Sequence, residues 1–273
     1  MIEKGIYLPF NPNKNHISMS YQNTESTSKH FVMWSGGCDS TLLLYELLDA
    51  YGSDKVVAIS YIMPYLTKNK IESEKLHRQL FKSKMNLKGP KYGSFTHKEI
   101  VITENDLNDG IYISNAGFGQ AVIWALSIPL YCSSGDYVYT GAIQEDQLNI
   151  KLEEYHKMLE GISGTLCRDL HFREPYLTFT KRDVIERLIN YDLYDTTWFC
   201  EMPNDINEPC KKCDPCKTHL SALRCLIDGL NNSPTYIKEF ATRQIENLNN
   251  SEDVKCSNEK YINIHDIKKE EQI

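Results

Sequence analysis

No window of the chain approaches the ~20 consecutive apolar residues that a membrane-crossing helix requires. The opening stretch MIEKGIYLPFNPNKNH lacks the apolar core of a secretory leader, so a soluble protein in the cytoplasm is expected. Long basic runs are also missing. Thirty Lys+Arg stand against thirty-seven Asp+Glu, a net charge of -7, which disfavours an electrostatic grip on a nucleic-acid backbone and favours a small-molecule substrate. The glycine-rich turn near residue 36 is not followed by the Gly-Lys-Ser/Thr of a Walker loop. Internal repeats are absent too. With no leader, nine cysteines are not expected to form a disulfide framework, and the crowding of four of them into Cys200–Cys216 points instead to a metal.

What is present is a chain of 273 residues, 41% hydrophobic and 25% charged, enough for one substantial core with a small appended module. Residues 1–30 are polar and read as an N-terminal arm. From Phe31 the apolar run Phe31-Val32-Met33-Trp34 enters a glycine turn, and Ser40–Leu48 follows with helical spacing. Further strands are predicted at Lys55–Ile62, Glu99–Ile102 and Tyr137–Thr140, with helices at Ile71–Met85 and Gln120–Tyr131 between them. Strands apolar on both faces and alternating with helices predict an α/β fold, an open parallel sheet flanked by helices. Beyond Gly141 the pattern is helical, at Asn149–Glu160, Lys181–Tyr191 and Thr218–Leu230, and Thr180 with Asp183 reads as a capping pair. The expected division is a nucleotide-binding domain over 31–195, a metal-binding helical module over 196–248 and a loosely held polar tail over 249–273.

Ser35-Gly36-Gly37-Cys38-Asp39-Ser40 lies between the first strand and the first helix, where an open parallel sheet offers its ligand crevice. Paired glycines let backbone N–H groups approach a phosphate, and the helix start beyond them adds partial positive charge. Ser35 and Ser40 supply hydroxyl donors. Asp39 would repel a bare phosphate, so it is expected either to hold a divalent cation such as Mg²⁺ or to cap the helix. Cys38 reads as a small buried residue rather than a reactive thiol. The whole string has the form SGGxDS and resembles the signature of the PP-loop ATP pyrophosphatases, adenine-nucleotide alpha-hydrolase-like proteins that adenylate a carbonyl or carboxylate oxygen and release pyrophosphate.

Cys200, Cys210, Cys213 and Cys216 have the spacing C-x9-C-x2-C-x2-C, with Pro209, Lys212 and Pro215 suited to the turns between ligands. Four thiolates fill a tetrahedral site, so a structural zinc is expected. The PP-loop together with this module resembles the 7-cyano-7-deazaguanine synthase (QueC) family. Tyr139–Asp146 is similar to the family's strand-end G-V-x-x-E-D, and Glu174–Ile185 to its P-x-x-x-x-T-K-x-E-I. The chain departs from the family where Gln147–Lys151 replaces an S-G-Y-P-D-C-R type loop and where Phe118-Gly119-Gln120 replaces G-R-N.

The resemblance implies that ATP lies with its triphosphate on Ser35–Ser40, Mg²⁺ near Asp39, Lys181 as the catalytic lysine and Ser60 near adenine. Gly141 and Asp146 are then the substrate-side residues, Asp146 accepting from a deazapurine's N–H edge or capping the next helix. The implied activity is ATP-dependent C–N ligation, in which the carboxylate of 7-carboxy-7-deazaguanine is adenylated and converted with ammonia to the amide and then the nitrile. Other readings stay open: a ligase that conjugates the deazaguanine acyl group to a protein or other amine, a tRNA-modifying PP-loop enzyme, and a non-catalytic nucleotide-binding module. A homodimer is also left open.

Overall fold

The computed structural model describes residues 27–63, 66–102, 119–144, 146, 152–228 and 233–250. The loop segment Gln147–Lys151, Phe118 and the residues after Asn250 lie outside them. Five strands, β1 (His30–Met33), β2 (Val56–Ile62), β3 (Thr96–Val101), β4 (Tyr137–Tyr139) and β5 (His171–Arg173), form one all-parallel sheet in the order β3-β2-β1-β4-β5. The α/β architecture expected from the sequence is therefore present.

Eight helices accompany the strands among the described residues: α1 (Cys38–Tyr51), α2 (Lys68–Lys88), the single turn α3 (Pro90–Gly93), α4 (Gly119–Tyr131), α5 (Leu152–Thr165), α6 (Lys181–Asn190), α7 (Asp214–Ile227) and α8 (Thr235–Asn250). On one face of the sheet, Val32, Trp34 and Tyr139 pack with Leu42, Leu43 and Leu47 of α1, and the same core continues into Val184 and Leu188 of α6, Leu223 of α7 and Ile237 of α8. On the other face, Met33, Ile59, Tyr61 and Val138 pack with Ile123 and Ile128 of α4 and with Tyr155 and Leu159 of α5. Burial on both sides explains why β1 and β2 read as continuous apolar runs rather than alternating ones.

Two elements are absent from the sequence reading, and two others have shifted bounds. β5 lies between the helices expected at Asn149–Glu160 and Lys181–Tyr191, where no strand is expected. Its three residues His171-Phe172-Arg173 are mostly polar, and what makes them a strand is pairing with β4, from Tyr137↔His171 to Tyr139↔Arg173. α8 was not assigned as a helix, although Ile237, Phe240, Ala241, Ile245 and Leu248 follow helical spacing and Ile237 and Ala241 are fully buried. β3 also begins three residues before the expected Glu99, because its register with β2 runs from Val57↔Thr96 to Ile62↔Val101 even where its side chains face solvent. α5 starts at Leu152 and runs to Thr165, later at both ends than the predicted Asn149–Glu160.

Strand order reverses between β1 and β4. The chain leaves β1 toward β2 and β3 and returns through α4 to β4 on β1's other side, which opens a crevice at the carboxyl ends of these two strands.

Candidate nucleotide and metal sites

The loop from Ser35 to Ser40 sits at that switch point. Gly36 has φ +94°, a conformation that disfavours any side chain, and a Cβ there would lie 3.2 Å from both the Glu74 carbonyl oxygen and Arg78 Cγ. Ser35 Oγ accepts from the Gly37 amide at 3.1 Å and lies 3.2 Å from Ser40 Oγ, so both hydroxyls are gathered at one end of the loop. No side chain caps α1 at Gly37, which leaves the helix's first-turn amides directed at the crevice. Behind the loop, Arg78 donates to the Ser35 carbonyl at 2.7 Å while pairing with Glu99 at 3.2 Å. Nothing in the sequence around Arg78 marks this role.

Asp39 and Lys181 meet across the crevice, Nζ to Oδ2 at 2.5 Å. Lys181 opens α6, where Thr180 and Asp183 form a reciprocal capping box. Its side chain is 13% exposed, not the solvated surface lysine that the first turn of a helix usually carries. Burial works against its charge, but the carboxylates of Asp39 and Asp146 outweigh that and hold the ammonium above the ordinary lysine range. Asp39 Oδ1 is buried and has no hydrogen-bond partner among the described residues.

Gly141, just past β4, presses on the same place: a Cβ on it would lie 3.2 Å from the Asp39 carbonyl carbon and 3.3 Å from the Ser40 nitrogen. Asp146 accepts from the Ile143 amide at 2.9 Å and so closes a turn beyond β4; its charge is felt at Lys181. Ser60 is buried inside the sheet. Its hydroxyl bonds to the Trp34 carbonyl and lies 2.8 Å from His97 Nε2, so that side chain ties β2 to the end of β1 and to β3, and leaves open the contact expected of its backbone.

Cys38 points away from the crevice, into a buried cluster with Thr197 Oγ1 at 3.4 Å and His219 Nδ1 at 4.0 Å. Burial pushes its thiol up, and Lys181 nearby only partly offsets this, so it is no thiolate nucleophile. His219 in turn is held by the Tyr194 hydroxyl at 2.7 Å and stacks on Phe199 at 3.8 Å.

Cys200, Cys210, Cys213 and Cys216 come together, their sulfurs all within 4.8 Å of one another and all four residues buried. Cys200 Sγ is 3.9 Å from Cys213 Sγ, and Cys210 Sγ is 4.0 Å from Cys216 Sγ. A single ion with metal–sulfur bonds of about 2.3 Å places tetrahedral ligands about 3.8 Å apart, so the set matches one ion. Backbone amides of Cys210 and Cys213 donate to sulfurs at 3.2 and 3.3 Å, an outer shell that favours thiolates.

The four-cysteine cluster and the loop are joined through Trp198. Its backbone N–H donates to the Gly36 carbonyl at 2.9 Å, and its ring N–H donates to the Cys200 carbonyl at 2.8 Å.

No family model and no curated protein matches the sequence. Among solved structures, a U34-tRNA thiolase, NcsA from Methanococcus maripaludis with its [4Fe-4S] cluster, is similar at 15% identity over 82% of this chain and 73% of that one, with a TM-score of 0.43. A glutamine-dependent NAD+ synthetase from Acinetobacter baumannii in complex with ADP is similar at 14% identity over 80% of this chain and 40% of that one, with a TM-score of 0.37. Likeness at these scores adds nothing to the fold, which the strand order and register carry alone.

Proposed function

We propose that the chain is an ATP-dependent enzyme that adenylates the carboxylate of 7-carboxy-7-deazaguanine and, with ammonia, forms the amide and then the nitrile, releasing AMP and pyrophosphate. The observation that carries the adenylation is the pair Asp39–Lys181 set beside an uncapped helix start and a glycine loop at the switch point of the sheet. In this reading the loop amides and the Ser35 and Ser40 hydroxyls hold the β- and γ-phosphates, and Lys181 takes up charge as the bond between the α-phosphorus and the bridging oxygen breaks. The substrate carboxylate attacks the α-phosphorus; pyrophosphate leaves. Ammonia then attacks the acyl carbon, AMP departs, and a second adenylation of the amide oxygen leads to dehydration. The deazaguanine substrate rests on the motif resemblance, at Tyr139–Asp146 and Glu174–Ile185, together with Asp146 standing within electrostatic reach of Lys181.

Asp39 fits a divalent cation, because its buried Oδ1 has no partner among the described residues and a carboxylate beside a triphosphate needs an intervening positive charge. Mg²⁺ held there would screen the phosphate charge. Zinc is the proposed occupant of the four cysteines: sulfurs this close suit one tetrahedral ion, whereas a cubane cluster binds each cysteine to a separate iron and spreads them further.

Incubation with carboxydeazaguanine, ATP, Mg²⁺ and ammonium, read by mass spectrometry, tests the reading. The expected result is the free nitrile with two AMP per product. One AMP per product with the deazaguanine mass on another amine would replace nitrile synthesis by conjugation, and ADP with orthophosphate would overturn adenylation.

A further inference from the structure

Ser35 and Gly36 are steered from outside the loop, by a helix that carries no residue of the loop's own motif. On α2, Lys70, Glu74 and Arg78 follow one another at four-residue spacing and all three are buried, an unusual load of charge for one helix face. Arg78 ends the series. Its side chain is 4% exposed, and its two terminal nitrogens have different tasks: Nη1 donates to the Ser35 carbonyl at 2.7 Å, and Nη2 pairs with Glu99 of β3 at 3.2 Å, with a Glu74 carboxylate oxygen 3.8 Å from Nη1. A planar fork held at both prongs cannot swing, whereas a lysine in its place would offer one point charge to two acceptors.

The peptide between Ser35 and Gly36 is trans, so its N–H points opposite to its carbonyl. With the carbonyl turned to Arg78 on α2, the Gly36 amide is turned away from α2, toward the crevice where Asp39 and Lys181 meet. The next peptide is fixed differently. The Gly36 carbonyl accepts from the Trp198 amide at 2.9 Å, and the Gly37 amide is occupied by Ser35 Oγ at 3.1 Å. Of the two glycine amides, that of Gly36 is therefore the one the loop presents to a ligand. Close packing holds the arrangement in place, since the Glu74 carbonyl oxygen and Arg78 Cγ would both lie 3.2 Å from a Cβ on Gly36, and α2 thus backs the loop directly.

We propose that Arg78 is a positioning residue for the triphosphate: by holding the Ser35 carbonyl it directs the Gly36 amide at a phosphate oxygen, without touching the nucleotide itself. The inference rests on the proposed adenylation, which puts the β- and γ-phosphates on this loop. An amide aimed in advance needs no reorientation when the phosphate arrives, so the residue that aims it acts on pyrophosphate as well as on ATP.

Nuclear magnetic resonance separates aiming from folding. The full, zinc-loaded chain is labelled with carbonyl-13C serine and 15N glycine, and a carbon-filtered spectrum then keeps only the amides of glycines that follow a serine: Gly36, Gly135 and Gly164. It is titrated with inorganic pyrophosphate and Mg²⁺, and separately with α,β-methylene ATP. In wild type the Gly36 signal is expected to move downfield as its N–H donates to phosphate, while Gly135 and Gly164 stay. Arg78→Lys is expected to bind both probes about tenfold more weakly, the scale of one hydrogen bond, with a smaller Gly36 shift at saturation and with Gly135 and Gly164 as in wild type. Where Arg78→Lys does not fold, Glu99→Gln, which releases only Nη2, is read in the same way. Wild-type affinity and a full Gly36 shift in the variant would overturn the role of Arg78 and leave adenylation standing, as would a Gly36 amide that stays unmoved in wild type at saturating pyrophosphate. Displacement of all three signals in the variant before any probe is added would also overturn it, by showing that Arg78 serves the fold at large. A wild-type chain that binds neither probe would remove the nucleotide reading and this inference together.

Discussion

Lys181 places its ammonium against the carboxylate of Asp39 at 2.5 Å across 142 residues of sequence, and in doing so it faces the first turn of α6 toward the first turn of α1. A cation at a helix start is opposed by the helix dipole, so this lysine is held by its partner rather than by its helix. The start of α1 and the ammonium of Lys181 thus both face the one carboxylate of Asp39, while the start of α6 is closed by its own capping box.

Asp39→Asn removes the charge while keeping the shape. The formation of AMP is expected to fall by about a hundredfold or more, the usual loss when one preorganised charge is taken from such a site. Circular dichroism should stay as in the wild type, since the Asp39 side chain is 23% exposed and outside the apolar core. An Asp39→Asn protein with more than a tenth of wild-type turnover would contradict the assignment.

Gly36→Ala puts a side chain at φ +94° and 3.2 Å from a backbone oxygen that cannot retreat. Strain of about 1–3 kcal/mol is expected, a drop in melting temperature of roughly 3–10 °C for a domain of this size. Affinity for an ATP analogue should fall with it. Calorimetric melting beside nucleotide titration checks both, and an unshifted Tm would show that the loop relaxes freely.

The metal is expected at one zinc per chain by elemental analysis, without acid-labile sulfide. Chelation, or Cys213→Ser, should lower solubility or Tm, because the site and the fold form together. ATP-analogue affinity should decline in parallel, since Trp198 ties the Cys200 carbonyl to the Gly36 carbonyl. Iron in place of zinc would refute the choice of ion, and a metal-free chain that binds ATP normally would refute the tie.

Acid should weaken the fold through His30. Burial, with Lys55 nearby, lowers its pKa from 6.5 to about 4, and its ring is sandwiched against Tyr51 at 3.5 Å. Between these two values the unfolded chain binds a proton that the folded one does not, so stability is full above pH 6.5 and is lost as pH falls toward 4. The slope from this group is about 1.4 kcal/mol per pH unit. Denaturant titrations of wild type and His30→Phe at pH 5, 6 and 7 should show a shallower acid loss in the variant; parallel curves would clear His30 of the role.

The central sheet was legible because β1 and β2 are buried on both faces, and such strands announce themselves as unbroken apolar runs. The loop and the four cysteines were legible because their chemistry needs fixed spacings along the chain. β5 was not: three residues with a histidine and an arginine carry no periodicity, and only the neighbouring β4 makes them a strand. The same applies to Arg78, Trp198 and His219, each of which acts through a partner more than 40 residues away, beyond anything local spacing records. Lys181 lay between the two cases: motif resemblance singled it out, and its burial came only from the fold.

The strand order also bears on how the chain is born. His30 pairs with Val56 on one side and with Tyr137 on the other, so β1 finds its first neighbour early and its second only after about eighty further residues have emerged from the ribosome. Until then one edge of β1 stands open, with unpaired backbone groups beside an apolar surface. Trp198, which pins the glycine loop, arrives later still. A nascent chain paused before β4 thus exposes the strand edge that the finished protein hides at its centre, and a chaperone that shields β1 during that interval would protect the whole fold.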